Sequence, residues 1–140
     1  MEWVAIVTVL ALLQCALFSF LVGRARVKYQ IRAPAVAGHE LFERSHRIHA
    51  NTVEQLVLFL PALWLCGWYL EPRAAAVVGS LFLIGRQLYF NHYLEQPRDR
   101  GTGFLLGFLA TLTLLLGALG GAISSLTVSY THLTLPTISS

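Results

Sequence analysis

Apolar residues fall into four long blocks along this chain, separated by short polar or basic stretches. No charged residue occurs from Trp3 to Gly23, and at about 1.5 Å per residue such a run crosses a hydrocarbon core of roughly 30 Å. The run follows Glu2 directly and has neither a basic leader nor a clear small-residue cleavage site, so it reads as a membrane helix and not as a signal peptide. Three further blocks cover about 53–70, 74–93 and 104–126. Glu71-Pro72-Arg73 is a tight turn that makes the second and third helices antiparallel neighbours. The pattern predicts an all-α integral membrane four-helix bundle, with one domain over 1–128.

Segment 24–52 is long for a connection. Its first part is expected to extend the first helix beyond the membrane until Ala33-Pro34-Ala35 breaks it, and its second part, from about Glu40, to run helically into the second span. The Ser/Thr-rich tail 129–140 fits no bundle pattern and is set apart as disordered or non-native.

Composition agrees with a membrane environment. Apolar residues make up 56% of the 140 and charged residues 12%, about half the charged share usual for a soluble domain. Eight of the ten Lys and Arg residues follow either the first span (Arg24, Arg26, Lys28, Arg32, Arg44, Arg47) or the third (Arg98, Arg100). In a four-span chain these connections share one side. The positive-inside rule makes that side cytoplasmic and puts both termini opposite. The basic connection suits anionic lipid headgroups, and a nucleic-acid partner is not expected.

Polar side chains inside the apolar blocks carry the chemistry. A charge near the centre of a membrane helix costs about 2.5–3.5 kcal/mol on insertion scales, yet Glu54 and Arg86 sit in such blocks, with Asn51, Gln55, Gln87, Tyr89, Asn91, His92 and Tyr93 nearby. Arg44, Arg47, Asn51 and Glu54 are spaced i, i+3, i+7 and i+10 and share one helix face; Arg86, Tyr89 and Tyr93, at i, i+3 and i+7, share another. On adjacent antiparallel helices these stripes lie at similar depth and can face one another. One reading is a structural Glu54–Arg86 ion pair. It leaves Arg47, Asn51, Tyr89 and Tyr93 unexplained, because a lock needs only two residues. The other is a donor-rich, net-positive pocket for a small zwitterion rich in carboxylates, with Glu54 matched to an ammonium group.

Other patterns are weaker. Glu43-x-x-His46 has the spacing of a di-iron carboxylate motif, but in one copy only. His46-x-x-His49 lacks a third ligand, so no metal is expected. No P-loop, GxGxxG or Ser/His/Asp set occurs. Cys15 and Cys66 lie in apolar runs and read as small hydrophobes without a disulfide. Gly103-x-x-x-Gly107 and Gly117-x-x-x-Gly121 would let the fourth helix approach a neighbour closely. Four short helices enclose little space, which favours oligomerisation.

Two stretches carry a resemblance to a known family. They are Phe42-Glu-Arg-Ser-His-Arg-Ile-His-Ala-Asn-Thr-Val-Glu54, running on to Phe59-Leu-Pro61, and Gly85-Arg-Gln-Leu-Tyr-Phe-Asn-His-Tyr93 followed by Pro97-Arg-Asp-Arg100-Gly101. Together they resemble the MAPEG proteins, membrane-associated proteins of eicosanoid and glutathione metabolism, over about residues 3–126. The resemblance implies a homotrimer with glutathione as co-substrate, bound between subunits near the cytoplasmic face. It implies that Arg47, Asn51 and Glu54 hold the charged ends of the tripeptide, that Tyr89 and Tyr93 line its pocket, and that Arg26 is a further contact. Arg100, seven residues after Tyr93, corresponds to the arginine that stabilises the glutathione thiolate in the leukotriene-forming member.

Two departures matter. Gln55 stands where the leukotriene-forming member has a tyrosine, and Ala50 where the prostaglandin E synthase has an arginine. Both argue against either eicosanoid reaction. The expectation is a detoxifying, membrane-bound glutathione transferase, with peroxidase activity as a second outlet, acting on lipophilic electrophiles or hydroperoxides from the bilayer. The alternatives are a non-catalytic lipid-binding protein of the same fold and a small structural membrane protein.

Overall fold

The computed structural model describes the backbone of residues 1–95 and 100–139 and the side chains of 1–95 and 101–133. Within them the chain forms four helices: α1 (Glu2–Tyr29), α2 (Glu40–Tyr69), α3 (Pro72–Glu95) and α4 (Arg100–Ser139). They pack as a four-helix bundle in which α2 and α3 each touch every other helix, while α1 and α4 lie diagonally apart.

The helix ends follow local chemistry. Beyond Tyr29 the chain turns through Gln30 in the left-handed conformation (φ 56°), where the Gln30 amide donates to the Arg26 and Val27 carbonyls. His39 caps α2 through its side chain, which accepts from the Leu41 amide at 3.1 Å. Glu71 caps α3, accepting the Ala74 amide at 2.7 Å, and Pro72 occupies the first helical position. The restart at Glu40 matches the sequence expectation for segment 24–52, but α1 ends at Tyr29, before the expected break at Ala33-Pro34-Ala35, because Gln30 turns the chain into the left-handed conformation.

The Ala74 amide, and after it the Arg73 amide, hold the exposed Glu71 carboxyl below its ordinary value of 4.5. A depressed carboxyl contributes stability above that value and loses it as pH falls through the lower, folded one. Glu71→Ala is therefore expected to lower the thermal midpoint at neutral pH. The difference from the parent should shrink toward zero in acid. Parallel melting curves across pH check this.

Three helices, α1, α2 and α4, are long and apolar enough to cross a membrane. The fourth expected span, α3, has 24 residues but carries Arg73, Arg86, Gln87, Asn91 and His92, which reduce its apolarity. Apolar side chains nevertheless cover the outside: Leu10, Leu13, Leu17 and Phe20 of α1 and Val57, Trp68 and Leu116 of the other helices are all exposed. The interior is built around Val4, Phe59, Leu63, Phe82 and Leu114, with Phe59 and Phe82 stacked at 3.8 Å between centroids. Trp64 donates to Thr8 at 2.9 Å and ties α2 to α1. Cys66 is buried and Cys15 half-buried, both as free thiols.

Glycines set the closest approaches. A side chain at Gly85 would lie 2.8 Å from the Gly107 amide, and one at Gly103 would meet the Tyr89 backbone and lie 2.6 Å from the Gly85 carbonyl. At Gly121 it would come within 2.5 Å of the Tyr69 carbonyl. The two glycine pairs noted in the sequence thus fit α4 against α3 at one end and α2 at the other.

Helix α4 continues into the Ser/Thr-rich segment and runs through Ser139. The Thr127 and Thr131 hydroxyls bond back to the carbonyls of Ile123 and Thr127, and no glycine interrupts the helix there. From Ile123 to Leu133 this extension is exposed throughout.

Candidate functional site

An open groove of about 980 Å³ lies between the first half of α2, the last turns of α3 and the start of α4. The second helix contributes Arg47, Asn51 and Glu54 from the predicted stripe, with Glu40, Glu43, Arg44, His46 and Ala50 beside them. Tyr89 and Tyr93 form the α3 wall, and Gly101 and Phe104 the α4 wall. Five of the residues named from sequence therefore share one concavity, because 3.6 residues per turn aligns each stripe and the Gly85–Gly103 contact brings α4 onto Tyr89.

The side chains differ in how far they are committed. Arg44 is occupied: it pairs with Glu40 one turn earlier and donates to the Leu94 carbonyl at 3.0 Å, tying α2 to the end of α3. Arg47 and Glu54 are exposed to the groove, and among the described residues neither makes a hydrogen bond or ion pair. Asn51 is half-buried, and its Oδ1 is shielded from solvent without a donor. A buried amide oxygen left unpaired costs free energy, and this one lies on the α2 face between Arg47 and Glu54. Tyr89 and Tyr93 are buried, with ring centroids 5.4 Å apart.

Among the described residues Arg86 and Glu54 form no ion pair. Arg86 is 1% exposed, donates from Nη2 to the Thr52 hydroxyl at 2.9 Å, and lies over the Tyr89 ring at 4.4 Å. Thr52 and Glu54 are two positions apart, about 200° around the helix, so an arginine directed at Thr52 does not reach Glu54. Glu54 faces the groove and Arg86 the interior.

Arg26 is also absent from the groove. It lines a separate cavity of about 480 Å³ with Val27, Gln30, Ile31 and Arg32, donates to the Ala35 carbonyl at 2.7 Å, and stacks over Phe42 at 4.8 Å. Arg100 opens α4, one residue before the groove-lining Gly101, and its side chain lies outside the described residues. Sequence reasoning missed Val36 and Phe104 as wall residues. Neither carries a chemical signal, and only the fold brings them there.

Comparison with known proteins sharpens this picture. Residues 4–120 match the MAPEG family. The chain is 45% identical over 124 residues to microsomal glutathione S-transferase 2 of Homo sapiens, covering 87% of this chain and 84% of that protein. It is 44% identical over 117 residues to an uncharacterized protein of Synechocystis sp., covering 84% and 85%. With leukotriene C4 synthase of Mus musculus it shares 32% over 140 residues, covering 94% and 93%. A helical bundle whose residues 4–120 match the family model, and whose relatives reach 45% identity over 87% of its length, belongs to the MAPEG family.

Proposed function

We propose that this chain is a membrane-bound glutathione transferase that holds glutathione in the α2–α3–α4 groove and presents it as a thiolate to lipophilic electrophiles. The observation that carries the reading is the set along one face of α2, opposite Tyr89 and Tyr93: the Arg47 guanidinium and the Glu54 carboxylate, each without a partner among the described residues, and the unpaired Asn51 Oδ1 between them. Glutathione is a tripeptide with a carboxylate at each end, an ammonium beside one of them and amide donors between. Arg47 suits a carboxylate, Glu54 the ammonium and Asn51 Oδ1 an N–H. The names of the related glutathione S-transferase and leukotriene C4 synthase support the same class of co-substrate.

The groove is open on one side, and Arg26 points into a different cavity. A homotrimer answers both points, since a neighbouring copy closes the groove and brings its Arg26 to the bound tripeptide. In this arrangement the groove lies at the cytoplasmic end with the basic connection, and both termini lie opposite.

In conjugation the thiolate sulfur forms a bond to an electrophilic carbon, the leaving group departs with its electron pair, and the thiol proton passes to water. Hydroperoxide reduction is a second outlet: two glutathione molecules give a disulfide as the peroxide becomes alcohol and water. Arg100 stabilises the thiolate electrostatically. Arginine stays protonated and takes up no proton itself.

The test is conjugation and glutathione binding by purified, detergent-solubilised protein. Turnover with at least one lipophilic electrophile or hydroperoxide is expected. Binding without turnover would favour the lipid-binding alternative, and absence of binding would refute the assignment of the groove. Glu54→Gln keeps the shape and removes the charge. It is expected to weaken glutathione binding by about 1.5–3 kcal/mol, the range for a hydrogen bond to a charged group, as read by calorimetric titration. Unchanged affinity would remove Glu54 from the ligand set.

A further inference from the structure

Arg86 is the largest of the fully buried side chains, and among the described residues no carboxylate accompanies it. Its Nη2 donates to Thr52, whose own hydroxyl donates to the Ile48 carbonyl at 2.7 Å, while its Nε has no acceptor. A purely structural role does not account for this. A neutral amide could bond Thr52, and an apolar side chain would fill the volume without desolvating a charge, which is costly unless paired. What sets the position apart is its second neighbour. The guanidinium lies over the Tyr89 ring at 4.4 Å, and Tyr89 is also a wall of the groove.

We infer that Arg86 is an electrostatic positioning residue for the groove: its unneutralised charge, held by Thr52 and by the Tyr89 ring, biases the groove toward anions and favours the thiolate form of a bound thiol. The inference rests on the proposed glutathione site. Because Arg86 lies outside the groove lining, it acts through the field and through the seating of Tyr89, without touching ligand. At an effective dielectric of about 20, a unit charge within about 10 Å of an ionising group shifts its ionisation by tenfold or more, about one pH unit. The charged and titratable groups at the groove are Glu40, Glu43, Arg44, His46, Arg47 and Glu54 on α2 and Tyr89 and Tyr93 on α3, with the proposed thiolate-stabilising Arg100 at the start of α4. On α1 the Cys15 thiol couples electrostatically to Arg86. All stay in place in the variants below, so they contribute a constant background.

The experiment titrates the ultraviolet absorbance of the glutathione thiolate bound to the full-length, solubilised protein across pH. Arg86→Met and Arg86→Gln remove the charge, whereas Thr52→Val keeps it and removes the Thr52 hydroxyl with both of its hydrogen bonds. Both neutral variants are expected to raise the titration midpoint by about one pH unit. The valine variant, which keeps the charge, is expected to stay within a few tenths of the parent. The glutamine variant keeps a donor for Thr52, so if the methionine variant fails to assemble, the glutamine variant alone decides. An unchanged midpoint in a neutral variant that still binds glutathione would overturn the inference. A bound thiol in the parent that shows no depressed midpoint would overturn it as well. Absence of glutathione binding in the parent is a separate result, and it would remove the proposed site together with this inference.

Discussion

Replacing Gly103 by alanine is expected to destabilise the solubilised protein and weaken glutathione binding together, whereas Gly120→Ala leaves both unchanged or slightly improves stability. The two glycines belong to the same helix and differ only in what surrounds them. An added Cβ at Gly103 would meet the backbone of Tyr89 and lie 2.6 Å from the Gly85 carbonyl, while at Gly120 nothing lies within 4 Å. Backbone cannot rotate out of the way as a side chain can. The cost is therefore that of overpacking, about 1–3 kcal/mol, taken up by moving α4 off α3. That movement displaces Phe104 and the α4 wall from Tyr89, and so reaches the groove. At Gly120 the intrinsic helix preference for alanine, up to about 1 kcal/mol, is all that changes. Thermal midpoints and glutathione affinity of the two variants, measured in one detergent, decide the matter. Equal behaviour would mean that the α3–α4 contact is not as tight as described.

Much of this arrangement was legible before any coordinates. The four apolar blocks, the restart at Glu40 and the turn at Glu71 follow from helix length, caps and proline, all local properties of the chain, whereas the left-handed turn at Gln30 that ends α1 before the expected proline break does not. The α2 stripe was legible because helical spacing alone brings Arg47, Asn51 and Glu54 to one face, and it holds whatever the helix packs against. The α3 stripe was legible only in part. Tyr89 and Tyr93 reach the groove, but Arg86 turns inward to Thr52. Opposite charges in adjacent helices suggested a pair. The rotation of α2 about its own axis decided against it, and no residue pattern encodes that rotation directly. Arg26 differs: it lines a separate cavity in this chain, so the proposed contact with glutathione requires a neighbouring copy. The outward apolar faces of α1, α2 and α4 fit lipid and a second copy equally well, and hydropathy does not separate them.

Arg100→Ala is expected to produce the largest functional loss: kcat down by about 10²–10³-fold, the scale for deleting one donor to a developing anion, with glutathione affinity little changed. The backbone supports the assignment. Arg100 begins α4 immediately before Gly101 at the groove wall, so the positive end of that helix's dipole lies at the same place. A thiol of ordinary pKa, about 8.5, is mostly protonated at neutral pH, and each unit of depression raises the thiolate fraction almost tenfold. Losing the arginine should displace the pH–rate profile toward alkaline pH, so that raising pH restores much of the variant's rate. A cytoplasmic anchor would show neither the loss nor the restoration. Arg100→Lys separates charge from geometry. A compact ammonium preserves the electrostatic bias but not the planar fork, so partial activity with a nearly normal pH profile is expected. Full activity in Arg100→Ala would return this residue to the topology-setting charges of its connection and leave the thiolate to the α4 terminus and Arg86.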